Sequence, residues 1–217
     1  MARKKTVNLD ELREKYGDTK IMVCPSDFVD QFLPAGLTLL TRDANLTNIR
    51  RSQFRIQLNG KLTPMLRAEA ECNPGFKQPI SYVIVRDKAG NIFVTKRKAG
   101  DKRLVGMCSI GTGGHVDEGE DLYSAMYREL KEEIGVDQDN IFSYKFTGYI
   151  LDNSTQVNSV HLGLYVELLV DNPNDVAVKE VDKLEGAWMT EAEVKALSDD
   201  GKLESWSKIY VDGGGLN

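Results

Sequence analysis

Three glutamates near the middle of the chain are spaced so that they could act on one substrate together. Glu129, Glu132 and Glu133 follow one another in the run Arg128-Glu-Leu-Lys-Glu-Glu. Positions three and four apart lie on one face of an α-helix, so a helix would present these carboxylates side by side. Like charges at this range repel unless a countercharge lies between them. Hard divalent cations prefer oxygen ligands, and the spacing therefore predicts a metal site.

The residues around these glutamates predict the helix that would position them. Met126, Leu130 and Ile134 recur every four residues, which is the pattern of a helix packed on a core. Acidic residues at 118, 120 and 121 are favourable near a helix N-terminus, and Gly135 is placed to end the helix in the left-handed conformation. The glutamates lie beside the apolar stripe, at the edge of a packed surface where a cleft could form.

The stretch GHVDEGEDLYSAMYRELKEEIGV resembles the signature of the Nudix hydrolases at every fixed position. The matching positions are Gly114, Glu120, Arg128-Glu129-Leu130, Glu132-Glu133 and Gly135-Val136. A charge-rich surface helix after a glycine loop is the alternative interpretation. The complete spacing favours the family, because a match of this length is far more specific than a short motif.

The resemblance implies a metal-dependent hydrolase. Nudix proteins typically cut the phosphoanhydride of a nucleoside diphosphate linked to another moiety, with Mg²⁺ or Mn²⁺ as cofactor. On this basis Glu132 and Glu133 are expected metal ligands. Glu129 is expected either to bind metal or to accept the proton of the attacking water, and both roles remain open.

The same resemblance implies supporting roles outside the three glutamates. Arg128 would hold a carboxylate in place, and Glu120 would be an additional ligand or would support one. The family also uses a backbone carbonyl of the preceding loop, which corresponds to Gly113. A further acid often follows the second long strand, for which Glu180 is the first choice and Glu185 the second.

A basic segment precedes the glycine loop and is a candidate substrate-binding element. Arg97, Lys102 and Arg103 lie in it, and such side chains can hold phosphate through charge-assisted hydrogen bonds. A solvated, lysine-rich surface loop is an equally tenable interpretation.

Two other functions are compatible with the fold that the resemblance implies. Isopentenyl diphosphate isomerases share it but need an additional His/Cys-rich metal site, whereas this chain has only His115 and His161. A catalytically inactive binding or regulatory protein would usually lack one of the glutamates, and all are present here. Metal-stimulated release of phosphate or nucleoside monophosphate would separate hydrolysis from both.

The order of predicted elements indicates an α/β protein, an α/β/α sandwich on a mixed β-sheet similar to the Nudix fold. We predict a Nudix hydrolase domain over residues 77–217, preceded by an N-terminal extension of mixed structure over 1–76. The extension carries apolar residues that should dock on the catalytic domain of the same chain or of a partner subunit, so a homodimer is possible. These residues include Phe28, Phe32, Leu37, Leu39 and Leu40.

Alternation of apolar and polar residues predicts the strands. We expect a strand over Arg50–Leu58, a hairpin of Ile80–Val85 with Ile92–Thr95, and two long strands over Phe142–Leu151 and Val160–Val170. In the last of these, the alternation predicts one buried face and one exposed face.

Composition limits the partners. The 217 residues carry a net charge of −5 with a pI near 5.2, so no broad attraction to a polynucleotide is expected. The resemblance implies a small-molecule phosphoanhydride as substrate. No apolar stretch is long enough to predict a membrane span. Three cysteines without a CxxC spacing suit a reducing compartment, so we expect a cytoplasmic protein.

Overall fold

A mixed β-sheet forms the centre of the structure. The computed structural model describes residues 8–33, 36–39, 47–100 and 104–216, with the backbone alone at 38, 39 and 47–52. The strands are β1 Lys20–Pro25, β2 Gly36–Leu39, β3 Thr63–Leu66, β4 Phe76–Arg86, β5 Ile92–Arg97, β6 Cys108–Ser109, β7 Gly111–Thr112, β8 Ile141–Leu151, β9 His161–Val170 and β10 Leu184–Met189. The predicted hairpin and both predicted long strands are present.

Strands β4 and β9 run parallel at the middle of the sheet, paired from Gln78 with His161 to Arg86 with Leu169. The main path of the sheet is β10-β5-β4-β9-β8-β2, and every pair in it other than β4–β9 is antiparallel. Strand β7 pairs with β4, and β6 pairs with β5, so the glycine loop leaves directly from the central sheet.

Helices cover both faces of this sheet. They are α1 Leu9–Tyr16, α2 Ser26–Asp30, α3 Thr47–Asn59, α4 Arg67–Ala70, α5 Leu122–Ile134, α6 Gln156–Ser159, α7 Glu191–Asp199 and α8 Ser205–Asp212. Met126, Leu130 and Ile134 of α5 pack on one face of the central strands, as their spacing predicts. Val194 of α7 and Tyr210 of α8 pack on the other. The predicted α/β/α sandwich is confirmed.

The ends of α5 are fixed by local interactions. The Asp121 carboxylate accepts hydrogen bonds from the backbone N–H groups of Tyr123, at 3.1 Å, and Ser124, at 2.7 Å. Gly135 ends the helix with φ 70°, in the left-handed region that favours glycine. The sequence prediction for both ends of this helix is therefore confirmed.

The predicted strand over Arg50–Leu58 is wrong, because these residues belong to helix α3. Phe54 and Leu58 are buried four residues apart, whereas Ile56 between them is 69% exposed. Burial thus follows the helical period of 3.6 residues and not the strand period of two. The local alternation of apolar residues misled the prediction, since both periods fit so short a segment.

The prediction of one exposed face for β9 is also wrong. The alternation predicts an outward position for His161, Gly163 and Tyr165, but all three are buried. Glu167 on the same face is half-buried and accepts a hydrogen bond of 2.7 Å from the Tyr210 hydroxyl. Because β9 is a central strand with helices on both sides, both of its faces contribute to the core.

The N-terminal region packs on the catalytic part of the same chain. Strand β1 pairs with β4 through Cys24 and Lys77, and the Phe54 ring meets the Tyr149 ring of β8 edge-on at 5.1 Å between centroids. Phe28 stacks on Phe54 at 5.7 Å. Of the docking residues predicted above, Leu40 and the side chain of Leu39 lie outside the described part of the chain.

Candidate active site

Arg128 holds carboxylates that lie before and along α5. Nε and Nη2 of its guanidinium each donate a hydrogen bond of 2.9 Å to a different carboxylate oxygen of Glu120. Nη1 donates to Glu129 at 2.7 Å and lies 3.4 Å from Glu132. Nη2 also donates to the backbone carbonyl of His115 at 2.9 Å. Arg128 thereby joins the preceding loop to two glutamates, and its role in holding them for catalysis stays a prediction.

Glu133 lies against the glycine loop. The Thr112 hydroxyl and the backbone N–H of Gly113 both donate hydrogen bonds to its carboxylate. These donors fix one side of the carboxylate and leave it facing a cleft that it shares with Arg97.

Two glycines allow the loop to approach the helix and the sheet. A Cβ on Gly113, whose φ is 151°, would overlap the carbonyl oxygen of Ser81. A Cβ on Gly114 would overlap the carboxylate of Glu129. The loop can therefore approach the backbone of β4 and the Glu129 carboxylate only because these positions lack side chains.

Burial raises the pKa of Glu133 and of Glu129 above the ordinary value of 4.5. For Glu129 the neighbouring Arg128 opposes this increase, and for Glu133 the Thr112 and Gly113 donors oppose it. Repulsion from Glu180 adds to the increase at Glu133. Two partly buried carboxylates are thus held where a cation would stabilise their charged forms.

This pKa shift predicts a pH-dependent effect on stability without metal. A carboxyl whose pKa is higher in the folded protein than in the unfolded chain costs stability when it ionises. The penalty is absent below pH 4.5, where both states are protonated, and complete above the raised pKa. In chelator-treated protein near neutral pH, Glu133→Gln should therefore raise the melting temperature, and the gain should vanish as the pH falls below the ordinary value.

A matched control is Glu185→Gln. Glu185 is exposed, and its hydrogen bond from Lys96 lowers its pKa, so its removal should give no gain in melting temperature. Equal stabilisation by both substitutions would contradict the argument. Thermal unfolding followed by circular dichroism at several pH values measures it.

A cleft of about 550 Å³ opens beside Glu133 and the loop. Arg97 lines it together with apolar side chains such as Leu104, Ile80 and Met107. Its polar and aromatic lining side chains include Tyr82, Ser109, Ser154, Asn158, His161, Glu204 and Trp206. A larger groove of about 900 Å³ contains Arg128 and Lys131 but does not reach Glu133 or the loop. The smaller cleft is the better substrate site, since it adjoins the buried carboxylate.

The structure brings most of the predicted site residues together. Glu132 is the most exposed of the three helix glutamates, with 62% of its side chain accessible. Glu180 is close enough for its charge to act on Glu133, although it also pairs with Lys183 at 2.7 Å. Glu185, the second choice, instead pairs with Lys96. Lys102 and Arg103 lie outside the described residues, so the structure places only Arg97 of the basic segment.

Other residues of the site did not emerge from the sequence. Thr112 supplies a hydroxyl to Glu133, and Asp117 lies 3.6 Å from Arg128. In the sequence, the position of Thr112 between Gly111 and Gly113 was the one indication that it could belong to the site. Glu71, His115 and His161 also meet, with potential ligand atoms within 4.8 Å of one another. Their separation along the chain gave no indication of this.

The glutamates fit the divalent cation that the family implies. Glu129 and Glu133 offer oxygen donors, and burial disfavours their charged forms unless a cation is nearby. Glu132 adds a third carboxylate on the same helix. An oxygen-rich, anionic set of this kind suits Mg²⁺ or Mn²⁺ better than softer ions.

Comparisons with known proteins agree with this geometry. The NUDIX domain model matches residues 77–208, more than half of the chain. Protein YmaB of Bacillus subtilis (strain 168) is 31% identical over 204 residues, covering 90% of this chain and 97% of YmaB. The uncharacterized Nudix hydrolase all7351 of Nostoc sp. (strain PCC 7120) is 31% identical over 124 residues, covering 57% of this chain and 68% of that protein.

A solved structure shows the same similarity. The crystal structure of Tm1382, which carries the provisional description of Nudix hydrolase, matches with a TM-score of 0.66 at 27% identity. The match covers 88% of this chain and 94% of Tm1382, and so extends into the residues before 77. In the part of the chain that the structure describes, no helix has the length and apolar character needed to cross a membrane. The family match, these relatives and the arrangement of Arg128 with its glutamates establish that the chain belongs to the Nudix family and is a Nudix hydrolase, of the kind that cleaves pyrophosphate linkages.

Proposed function

We propose that the protein is a Mg²⁺- or Mn²⁺-dependent hydrolase of a nucleoside diphosphate linked to another moiety, or of a related organic pyrophosphate. The observation that carries this proposal is the carboxylate of Glu133, held by the loop at the side of the cleft that also contains Arg97. A polyanionic substrate in that cleft would meet the cation held by the glutamates on one side and a guanidinium on the other.

Each residue has a defined task in this proposal. Glu132 and Glu133 hold the cation, and Glu129 either holds it or accepts the proton of the attacking water. When bound, the cation neutralises the pyrophosphate and makes water nucleophilic near neutral pH. Arg128 keeps Glu129 in position through its hydrogen bond of 2.7 Å.

Three further groups complete the proposed ligand set. Glu120 holds Arg128 in place by accepting the two hydrogen bonds described above. The carbonyl of Gly113 and the carboxylate of Glu180 are the remaining oxygen donors that we assign to it.

The remainder of the cleft suits the organic part of such a substrate. Ser154, Asn158 and Ser205 supply hydroxyl and amide groups to its lining. These groups can form hydrogen bonds with sugar hydroxyls or with a base. We therefore place the pyrophosphate near Glu133 and the organic moiety toward α6 and the start of α8.

A substrate screen tests the proposal. Purified protein would be incubated with dinucleotides, nucleotide sugars, ADP-ribose and nucleoside triphosphates, with Mg²⁺, Mn²⁺ or chelator. We expect metal-dependent release of phosphate or nucleoside monophosphate from at least one class. Binding of these compounds without any turnover would instead support the inactive ligand-binding alternative.

Substitution of Arg97 tests its proposed contact with the substrate. An interaction made equally in the ground and transition states affects KM and not kcat. A hydrogen bond to a charged group contributes about 1.5–3 kcal/mol, so Arg97→Ala should raise KM at least about tenfold at low salt. The effect should shrink as salt rises, since the Debye length falls from about 10 Å at 0.1 M to about 3 Å at 1 M.

Lys88→Ala is the matched control for lost positive charge. Lys88 pairs with Asp171 at an exposed position that does not line the cleft. Its removal should leave KM within about a factor of two. An unchanged KM for Arg97→Ala at low salt would exclude this arginine from substrate binding, and Lys102 and Arg103 would then be substituted in the same way.

We propose a cytoplasmic location and a small-molecule substrate. The cysteines Cys24, Cys72 and Cys108 are free thiols, which suits a reducing compartment. Burial raises the pKa of Cys24 to about 12, so its thiol stays protonated and unreactive. The homodimer remains a prediction, to be measured by light scattering.

A further inference from the structure

A second group of potential metal ligands lies apart from the glutamates of α5. Glu71 follows α4, His115 lies in the loop between β7 and α5, and His161 begins β9. Their ligand atoms all lie within 4.8 Å of one another. We infer that these three residues form a site for a divalent transition metal, distinct from the Mg²⁺ or Mn²⁺ site, that joins the N-terminal region to the active-site loop.

The distance between the two imidazoles fits a shared ion. Nε2 of His115 lies 3.3 Å from Nε2 of His161. Two nitrogens bound tetrahedrally to one zinc ion, each at about 2.0–2.1 Å, would be separated by about 3.4 Å. The imidazole nitrogens therefore already have a suitable separation, and the Glu71 oxygen, within 4.8 Å of both, has to move closer to reach the same ion.

The orientation of His161 is also that of a metal ligand. Its Nδ1 lies 2.6 Å from the backbone carbonyl of Val157 and donates a hydrogen bond to it. In the neutral ring this leaves the lone pair on Nε2, which faces His115. Metal-binding histidines are commonly oriented by such a hydrogen bond from the other ring nitrogen.

Polar groups around the cluster lack the partners that buried groups normally have. Gln78 is 1% exposed, and its amide nitrogen has no hydrogen-bond partner among the described residues. Its oxygen lies 2.7 Å from Nε2 of His115 and accepts a hydrogen bond from it, so binding of an ion at Nε2 requires the His115 tautomer with its proton on Nδ1. The unpaired nitrogen is a hydrogen-bond donor, so it cannot bind a cation itself.

Among the described residues, the carboxylate of Glu71 forms one ion pair, with Arg67. Its side chain is 12% exposed and, among the described side chains, the nearest cation is Nε of Arg67 at 3.7 Å, which is too long for a hydrogen bond. That nitrogen is itself buried and without a hydrogen bond to any described residue. A cation bound by Glu71 would add a direct contact to this long ion pair.

Two positive side chains oppose the binding of a further cation. Arg67 and Lys77 act electrostatically on His161, but each has a partner outside the cluster. Arg67 lies over the Tyr16 ring at 4.5 Å, and Lys77 Nζ donates to the carbonyl of Ser159 at 2.5 Å. Binding would displace neither of these contacts, although the two charges should lower the affinity.

The donor set determines which metals are expected. Two imidazoles and one carboxylate suit Zn²⁺, Co²⁺ or Fe²⁺, whereas Mg²⁺ prefers an all-oxygen set. The ions of the two sites can therefore be distinguished in one protein. The sequence has only two histidines, and the fold brings both to the same point.

The location indicates a positioning role for this site. The backbone carbonyl of His115 accepts the hydrogen bond from Arg128, and the preceding Gly114 touches Glu129. Fixing the His115 side chain would hold the loop that carries these contacts. Glu71 comes from the N-terminal region, so the ion would link that region to the loop directly.

Cobalt provides a spectroscopic test. Full-length protein would be freed of metals and saturated with Mg²⁺, and then titrated with Co²⁺ while the visible absorption is recorded. We expect one Co²⁺ per chain with the absorption of nitrogen ligation. Because altering residues beside metal ligands typically costs 10–100-fold in affinity, loss of a ligand in His161→Ala or Glu71→Gln should weaken binding at least about tenfold. Glu133→Gln is the matched control and should retain the spectrum.

The outcomes separate this inference from the proposed function. Absence of a nitrogen-ligated Co²⁺ spectrum in the unmodified protein would overturn the inference, as would unchanged affinity in Glu71→Gln. Loss of the spectrum in Glu133→Gln alone would assign the ion to α5 and also overturn it. If His161→Ala fails to fold, the unmodified protein and Glu71→Gln still decide. A chain that binds Co²⁺ here but hydrolyses no pyrophosphate would support the inference and contradict only the proposed function.

Discussion

The Glu133→Gln protein should keep its fold and lose at least about a hundredfold in kcat on its correct substrate. Glutamine preserves the size of the side chain, and its oxygen can still accept a hydrogen bond from Thr112 or Gly113. It removes the negative charge that holds the cation. The loss should therefore appear in the chemical step, while circular dichroism and the monodispersity of the protein stay unchanged.

The neighbouring glutamates provide an internal comparison. Glu132→Gln should also lower kcat, and Glu129→Gln should do so whether this residue binds metal or takes a proton. If Glu129 is the base, its substitution should reduce kcat without weakening the binding of Mn²⁺, which electron paramagnetic resonance can measure. If it is a ligand, both should fall together.

Asp137→Asn is a suitable control for the loss of a carboxylate near α5. Asp137 is exposed and pairs with Lys131 just beyond the end of the helix. Its neutralisation should leave kcat within about a factor of two, as expected for a surface ion pair. Full activity of Glu133→Gln on a verified substrate would refute the assignment of the metal site.

Removal of residues 1–76 should leave a protein that aggregates or fails to accumulate in soluble form. The deletion takes away β1, which pairs with β4, and α3, whose Phe54 and Leu58 are buried in the core. It would uncover apolar surface at Tyr149 and Leu162, which belong to the same core cluster. We therefore propose that residue 77 marks the start of the region shared with the family, and that the residues on its two sides fold together as one unit.

A single substitution tests the same interface without a deletion. Phe54 is 2% exposed, so Phe54→Ala should lower the free energy of unfolding by about 3–5 kcal/mol. Ile56, two residues along the same helix, is 69% exposed, and Ile56→Ala should change it by no more than about 0.5 kcal/mol. Urea unfolding of the two variants would measure the difference.

Two results would contradict this account of the N-terminal region. One is a truncated chain over 77–217 that is soluble, monomeric and kinetically unchanged. The other is an equal effect of the two alanine substitutions in α3. Either would mean that the region is an appendage and that its packing on β8 contributes little to stability.

The catalytic helix was predictable because its determinants are local. The capping carboxylate of Asp121, the apolar spacing from Met126 to Ile134 and the terminal Gly135 all act within a few residues. The same local spacing fixes the side on which Glu129 and Glu133 lie. The sequence alone therefore determined the helix, the grouping of its carboxylates and, through the resemblance, the family.

Only the tertiary structure decided which segments are covered and which distant residues meet. The alternation in Arg50–Leu58 fitted a strand until the core selected the helical positions Phe54 and Leu58 for burial. The alternation in β9 suggested an exposed face, but helix α8 covers it. Burial depends on neighbours far along the chain, and no local period encodes them.

The same reason explains why the sequence predicted one group of metal ligands and missed the other. The glutamates of α5 are neighbours along one helix, so their spacing in the sequence already implies their spacing in space. Strand pairing brings the two histidines together, since it sets His161 beside Gln78 and His115 beside Ile80. Glu71 joins them from the end of helix α4, which packs against β4. The meeting of the three residues depends on the pairing of β4 with its neighbours and on the packing of α4, and both are properties of the folded chain.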